Sequence, residues 1–169
     1  CSSVAVKGWV RRSWQRWLNE NHLWKSAVQG YLASISFADA QVGRLMAALD
    51  HSAHAHNTII VLWSDHGLHI GEKEHWEKFT LWEESTRVPL MIVAPGVTQS
   101  ARVCTRPVSL VDVFPTLVEL AGQSPMAQLD GISLVPWLRN PTAPKQQPAL
   151  TTWGRNNHSV RTERWRYTR

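Results

Sequence analysis

The spacing of apolar residues between Trp24 and Asp50 constrains the fold of this chain more than any other feature. The apolar residues recur at steps of three or four, as on a helix that rests one face on a core. These residues are Tyr31, Ile35, Ala38, Val42, Leu45 and Leu49. Residues 58–63 follow as a β-branched apolar run, typical of a central strand covered on both faces. A long helix and then a buried strand predict half of a βαβ unit in a parallel sheet, and therefore an α/β fold.

Length and composition exclude several classes of protein. The chain has 169 residues, a net charge of +5 and 43% hydrophobic residues, which suits one globular domain or a large piece of one. Its 9 glycines and 9 prolines are too few for a disordered or fibrous chain. The longest apolar run, residues 59–63, is far shorter than the ~20 residues of a membrane-spanning helix. The two cysteines, Cys1 and Cys104, have no metal-site spacing and leave the redox compartment open.

The remaining elements follow from turn and cap residues. Residues 88–94 predict a second strand that ends at Pro95-Gly96, and Ser109 begins a helix that ends at Gly122. Three prolines in residues 140–148 mark a seam before the final segment. We also predict a basic amphipathic helix at 9–18, a short helix at 133–139, and strands at 150–153, 158–161 and 165–168.

Three candidate chemical residues follow the first strand, two of them in Ser64-Asp65-His66-Gly67 and one in the long charged loop of residues 68–87. Ligand sites of α/β sheets gather at the ends of strands, and long loops inside compact domains are often functional. Asp65 and His66 offer a carboxylate and an imidazole to a divalent cation, although a turn capped by the aspartate explains the same pair. Lys78 offers an ammonium to an anion held by that cation, or is simply solvated.

Other residues in the loop and near the C-terminus are weaker candidates. His69 adds an imidazole to the loop, and Trp76 and Trp82 either line a substrate cleft or pack the loop onto the domain. Most of the acidic residues of the loop are expected to be surface charges. Near the C-terminus, His158 and the arginines around it form either an exposed strand face or an anion-binding edge. The acidic residues are Glu72, Glu74 and Glu77, and the arginines are Arg155 and Arg161.

Seven blocks in a fixed order resemble the type I sulfatase family, and in particular its iduronate-2-sulfatase branch and bacterial relatives. The resemblance covers most of residues 24–169, and the ordered combination is more specific than any single block. The blocks are residues 31–49, residues 58–67 with Ser64-Asp65-His66-Gly67, Gly71-Glu72 with Trp76 and Lys78, Arg87-Val88-Pro89-Leu90, residues 109–117, residues 130–134 and residues 158–167.

The resemblance implies a fold and a set of site residues. The fold is that of the alkaline phosphatase superfamily, a large α/β domain followed by a smaller domain with an antiparallel sheet. Residues 1–122 are expected to be the C-terminal part of the catalytic domain, and residues 123–169 the start of the smaller subdomain. Asp65 and His66 match the family's Asp-His pair that helps to hold Ca²⁺, and Lys78 matches its sulfate-contacting lysine. The resemblance also implies a sulfated carbohydrate or another small sulfate ester as substrate, with His69, Trp76 and His158 as weaker substrate contacts.

One part of the family pattern has no match in this sequence. The nucleophile of the family is a formylglycine made in a Cys-x-Pro-Ser-Arg type motif, and neither Cys1-Ser2-Ser3 nor Cys104-Thr105-Arg106 fits it. We therefore expect the chain to be the C-terminal portion of a longer enzyme and to be inactive without the rest. The family implies a periplasmic or extracellular location, or a lysosomal one in a eukaryote.

Two other functions fit the residues. One is a phosphatase or phosphodiesterase of the same superfamily, because sulfate and phosphate esters present similar tetrahedral anions. The other is a non-catalytic module that binds acidic glycans or nucleic acid through its 10 tryptophans and clustered arginines.

Overall fold

The computed structural model describes residues 14–144 and 147–169. Two helices begin the described chain, and short strands and helices alternate after them. In chain order the elements are α1 (Trp14–Glu20), α2 (Trp24–Asp50), β1 (Ile60–Trp63), β2 (His69–Ile70), β3 (Trp76–Glu77), α3 (Glu83–Thr86), β4 (Leu90–Val93), α4 (Val113–Leu120), α5 (Val135–Arg139), β5 (Ala149–Thr152), β6 (His158–Arg161) and β7 (Arg166–Thr168).

The long helix has the predicted bounds, but its apolar face is only partly covered, with Tyr31, Val42 and Leu49 half-buried. α2 runs over 27 residues, and none of them is buried against the described part of the chain. Leu45, in the middle of the predicted stripe, is 70% exposed. The predicted basic helix at 9–18 overlaps α1, and its residues 9–13 lie outside the described residues.

The two predicted strands of the main sheet are confirmed. The described residues hold no parallel partner for β1, so the predicted parallel part of the sheet stays a prediction. β1 pairs with β4 antiparallel, with Ile60 opposite Val93 and Trp63 opposite Leu90. A parallel pair needs a crossover that carries the chain back to the other end of the sheet. Here the intervening residues stay at the end where β1 stops and β4 starts. β1 is also not covered on both faces, because Leu62 and Trp63 are exposed.

Hydrogen bonds stabilise the start of α4 and also join α4 to the segment that follows it. The backbone N–H of Ser109 donates to Asp112 Oδ2 over 3.0 Å at the start of this helical segment. The backbone N–H of Leu134 donates to the fully buried hydroxyl of Thr116 over 2.8 Å, next to α5. Gly122, with φ of +66°, ends the helix in the left-handed conformation that glycine adopts without steric cost. Residues 131–139 thus pack onto α4, and the predicted boundary between residues 122 and 123 stays a prediction.

The last three strands form the predicted antiparallel sheet, in the order β5-β6-β7. Because strand side chains alternate between faces, the register separates two sets of residues. Leu150, Val160 and Tyr167 share one face of this C-terminal sheet. The other face, which includes Ser159, Arg161 and Arg166, lies against residues 81–83. No helix of the described residues is long and apolar enough to cross a membrane.

Candidate anion and metal site

The loop between β1 and β4, residues 64–89, begins with a backbone turn that only glycine fits. The N–H of Gly67 donates to Ser85 O over 2.9 Å, which joins the start of the loop to α3. A Cβ atom on Gly67 would lie 1.9 Å from Glu84 O, so any other residue would push the two backbone segments apart. Ser64 Oγ donates to His66 O over 2.8 Å and closes the turn before it. Asp65 and His66 therefore lie on a backbone that is tied at both sides.

The three residues predicted to act together are brought together by this loop. Lys78 Nζ lies 2.7 Å from His66 Nε2, and Asp65 Oδ1 lies 3.7 Å from the same nitrogen. The Asp65 side chain is 73% exposed and that of His66 is 35% exposed, so both face solvent at the end of β1. An ammonium, an imidazole and a carboxylate thus converge on one open point of the surface.

The hydrogen bonds of His66 define which nitrogen faces this point. His66 Nδ1 lies 2.8 Å from Gly67 O, and a carbonyl oxygen only accepts, so Nδ1 carries the proton. Nε2 then holds a lone pair, which accepts a hydrogen bond from the Lys78 ammonium. A backbone carbonyl that fixes the Nδ1–H tautomer is the usual support of a histidine that binds metal through Nε2.

This donor set fits a hard divalent cation in part. Asp65 supplies carboxylate oxygen and His66 supplies one imidazole nitrogen, a combination that suits Ca²⁺ better than zinc because the set holds one imidazole and no thiolate. Ca²⁺ takes six to eight ligands as a rule. Among the described residues, no three or more His, Cys, Asp or Glu side chains are grouped so that they could hold a metal ion. The two side chains therefore provide part of a coordination sphere.

A cluster of aromatic rings lies beneath the lysine. His69 is 0% exposed, its Nε2 is 2.8 Å from Thr80 Oγ1, and its ring meets those of His75 and Trp82 edge to face. His75 Nε2 donates to Lys78 O over 2.9 Å, which holds the lysine backbone from this side. Burial, and then the charge of His75, lower the pKa of His69 below its ordinary value of 6.5. The cluster supports the loop through a neutral, buried imidazole.

The side chains of the weaker candidates differ in how exposed they are to solvent. His69 has no exposed surface to offer a substrate, and the structure gives its ring a packing role. Trp76 is half-buried in the β2–β3 hairpin, opposite Ile70. His158 is exposed on β6, where its Nδ1 lies 3.0 Å from Thr152 Oγ1. Glu72 does more than cover the surface, because its carboxylate accepts from the N–H of Ile70 over 2.8 Å, which lowers the pKa of Glu72.

Sequence reasoning missed one set of contacts that hold the loop. Glu83 accepts from Arg161 Nε over 2.8 Å and from an Arg166 nitrogen over 3.2 Å. Arg161 thus faces the loop. The sequence suggested an exposed strand face or an anion-binding edge for this residue, and the structure shows neither. The partners are 78 and 83 positions apart, so no local pattern in the sequence indicates the pairing.

Comparisons with known proteins point to one family. The model of the sulfatase family matches residues 8–123. A sulfatase of Formosa agariphila is 40% identical over 151 residues, which cover 89% of this chain and 30% of the relative. Human iduronate 2-sulfatase is 39% identical over 118 residues, which cover 56% of this chain and 22% of the relative. The chain therefore spans less than a third of the length of these relatives.

Solved structures share the fold. The structure of BT4656 in complex with its substrate D-glucosamine-2-N,6-O-disulfate matches with a TM-score of 0.66 and 28% identity, over 79% of this chain and 29% of that one. A phosphonate monoester hydrolase from Silicibacter pomeroyi matches with a TM-score of 0.68 and 27% identity, over 78% of this chain and 30% of that one. The predicted fold class, part of an alkaline-phosphatase-like sulfatase domain, is confirmed by the sulfatases among such neighbours.

Proposed function

The chain belongs to the sulfatase family, and on this premise we propose that the complete protein hydrolyses a sulfate ester of a carbohydrate. The chain spans 30% of the Formosa agariphila relative and has no formylglycine motif, and we also propose that it is the C-terminal portion of a longer enzyme. The observation that carries the proposal is the convergence of Asp65, His66 and Lys78 on one open point.

Lys78 is the residue of this chain that we assign to the sulfate group. Its ammonium carries three N–H donors and a full positive charge, and a sulfate oxygen is a stronger acceptor for it than a neutral imidazole nitrogen. We propose that Lys78 leaves His66 Nε2 when substrate binds and donates to a sulfate oxygen. In that position it stabilises the negative charge that builds up on the oxygens as the ester bond breaks.

Asp65 and His66 are the residues that would hold a cation beside that sulfate. When bound there, Ca²⁺ supplies a second positive charge that polarises a sulfate oxygen. Asp65 would hold the cation through its exposed carboxylate, and His66 through Nε2, which is free for this once Lys78 has turned to the anion. The Gly67 carbonyl keeps the His66 ring in place during the exchange, because its hydrogen bond to Nδ1 is not involved.

These 169 residues supply only some of the groups that the proposed reaction needs. No stretch of the sequence matches the motif that yields formylglycine, so we assign the binding of the sulfate group to this chain and the attack on sulfur to the rest of the enzyme. For the same reason we propose that the chain by itself does not turn over sulfate esters. We propose a sulfated sugar as the substrate because BT4656, which has a similar structure, binds D-glucosamine-2-N,6-O-disulfate as its substrate.

A second candidate is the hydrolysis of a phosphonate or phosphate ester. The phosphonate monoester hydrolase has the same fold as this chain, with a TM-score of 0.68. The Lys78 ammonium, together with a cation held by Asp65, would also bind a phosphoryl group, because the oxygens of phosphoryl and sulfate groups have the same tetrahedral arrangement.

One assay separates the two candidates. The complete protein is incubated with D-glucosamine-2-N,6-O-disulfate and with the monophenyl ester of methylphosphonic acid, and released sulfate or phenol is measured. The sulfatase proposal predicts a kcat/KM for the sulfated sugar that exceeds the value for the phosphonate by more than tenfold. A larger kcat/KM for the phosphonate, or no release of sulfate from a panel of sulfated sugars, would refute it.

A further inference from the structure

The segment that follows Lys78 is held from two opposite sides. Thr80, on one side, binds the buried His69 and Ser85 through its hydroxyl. Phe79 and Leu81, on the other side, meet the C-terminal sheet. The Phe79 ring lies 5.1 Å from that of Trp153, and Leu81 O accepts from Arg166 over 2.8 Å. The segment is thus packed between the aromatic cluster and the sheet.

Two arginines make the contacts from the sheet. Arg161 Nε lies 2.8 Å from Glu83 Oε1, and Arg166 donates both to Glu83 Oε2 over 3.2 Å and to Leu81 O. Arg166 is oriented by Ser159, a residue that is 1% exposed and whose hydroxyl lies 3.0 Å from an Arg166 nitrogen. Because a guanidinium is planar with donors in fixed directions, it holds a carboxylate and a carbonyl in one defined geometry.

The backbone around Lys78 needs such support. Glu77 and Phe79, on either side of the lysine, have φ values of 86° and 70°. Residues other than glycine adopt this region at a cost in free energy, and they keep it only when surrounding contacts hold them there. His75 provides one such contact, through Lys78 O. The sheet provides the others, through the residues that directly follow the lysine.

We propose that Arg161 and Arg166 are positioning residues for Lys78, and that the C-terminal sheet sets the place of the sulfate-binding ammonium by gripping Glu83 and Leu81. The proposal rests on the function proposed above, because it concerns the same lysine. Neither arginine touches the substrate: each acts through the backbone of residues 79–83. Loss of the grip lets Lys78 drift from the sulfate, and a displacement of about 1 Å lowers a rate by about 10²-fold.

The first test is a double-mutant cycle on the complete protein. We expect Arg166→Ala to lower kcat/KM for D-glucosamine-2-N,6-O-disulfate by about 10- to 100-fold. In the Lys78→Ala background, Arg166→Ala should change kcat/KM less than about twofold, since a residue that acts through another has no effect once the other is gone. The matched control is Arg164→Ala, which removes the same charge from the exposed turn after β6 and should change kcat/KM less than about twofold. Equal losses from Arg166→Ala in both backgrounds would overturn the proposal.

The second test does not depend on activity. Hydrogen exchange of the amides in residues 72–82 should become at least about tenfold faster in Arg166→Ala, while exchange in α2 stays unchanged. If Arg166→Ala fails to fold, Glu83→Gln replaces it in this test, because it keeps the shape of the side chain and removes its charge. Glu83→Gln should also make hydrogen exchange in residues 72–82 faster. Unchanged hydrogen exchange of residues 72–82 in the folded variants would refute the proposal that the arginines hold the loop.

The two proposals fail in different ways. If the wild-type complete protein releases no sulfate, the proposed function is wrong, and hydrogen exchange still decides whether the arginines hold the loop. If sulfate is released and Lys78→Ala abolishes it, but Arg166→Ala has no effect on rate or exchange, only the positioning proposal is wrong.

Discussion

Two regions of the molecule differ in the contacts that stabilise them. The first half consists of α2, β1 and β4, and the loop half consists of residues 64–89. α2 has no buried residue among the described ones, and Leu45 on its apolar stripe is 70% exposed. In the loop half, His69 is fully buried, and Glu83 is gripped by two arginines of the C-terminal sheet. The regular elements thus depend on a covering layer for their stability. The loop that holds the candidate site residues is held by polar contacts within this chain.

The largest effect should come from the lysine of the loop. We predict that Lys78→Ala in the complete protein lowers kcat/KM for a sulfated sugar by about 10²- to 10³-fold, because one charged donor to the sulfate group is lost. Lys25→Ala on the exposed surface of α2 removes the same charge and should change kcat/KM less than about twofold. Steady-state kinetics of the two variants measure the difference. Similar losses in both would mean that net charge, and not the loop, supports the activity.

A pair of glycines compares the two halves directly. We predict that Gly67→Ala lowers the free energy of unfolding by roughly 1–3 kcal/mol, because the added Cβ would lie 1.9 Å from a backbone oxygen. Gly43→Ala in α2 meets nothing within 4 Å and should raise that free energy by about 0.5–1 kcal/mol, the usual gain in a helix interior. Denaturant unfolding measures both. A destabilising Gly43→Ala would show that α2 is closely packed at this position in the complete protein.

The smallest effect should appear as a change in pH dependence. Burial lowers the pKa of His69 in the folded state, while the unfolded state keeps the ordinary value of 6.5. As the pH falls below 6.5, the unfolded state binds the proton first, so the stabilising contribution of neutral His69 is present above this pH and is lost below it.

We therefore predict that His69→Gln flattens the fall in stability between pH 7 and about pH 5. The control is His54→Gln, which changes an exposed histidine in the turn after α2 and should leave the fall unchanged. Urea unfolding at several pH values measures it. A steeper fall in His69→Gln than in the wild type would contradict the buried neutral imidazole.

The sequence predicted the elements of the first half better than their arrangement. The stripe of α2 has the period of a helix, and its bounds of Trp24 and Asp50 are confirmed. The strands near residues 60 and 90 are also confirmed, because β-branched apolar runs mark strands locally. Their antiparallel pairing was missed, since the composition of a strand does not encode the direction of its neighbour.

In the loop half, the sequence predicted the charged residues but not their supports. Asp65, His66 and Lys78 lie close together in the sequence, and the family resemblance indicated that they act together. The grip of Arg161 and Arg166 on Glu83 joins residues that are about eighty positions apart. Such contacts depend on how the C-terminal sheet docks, which local periodicity does not describe. The buried position of His69 follows from the same tertiary packing.

The most direct test of the central claim is a crystal structure of the complete protein with inorganic sulfate, the expected product. We predict that Lys78 Nζ leaves His66 Nε2 and lies about 2.7–3.2 Å from a sulfate oxygen. Asp65 and His66 should then bind one cation that also contacts the sulfate. A sulfate bound elsewhere, with Lys78 still on His66 and no cation on Asp65, would contradict the account.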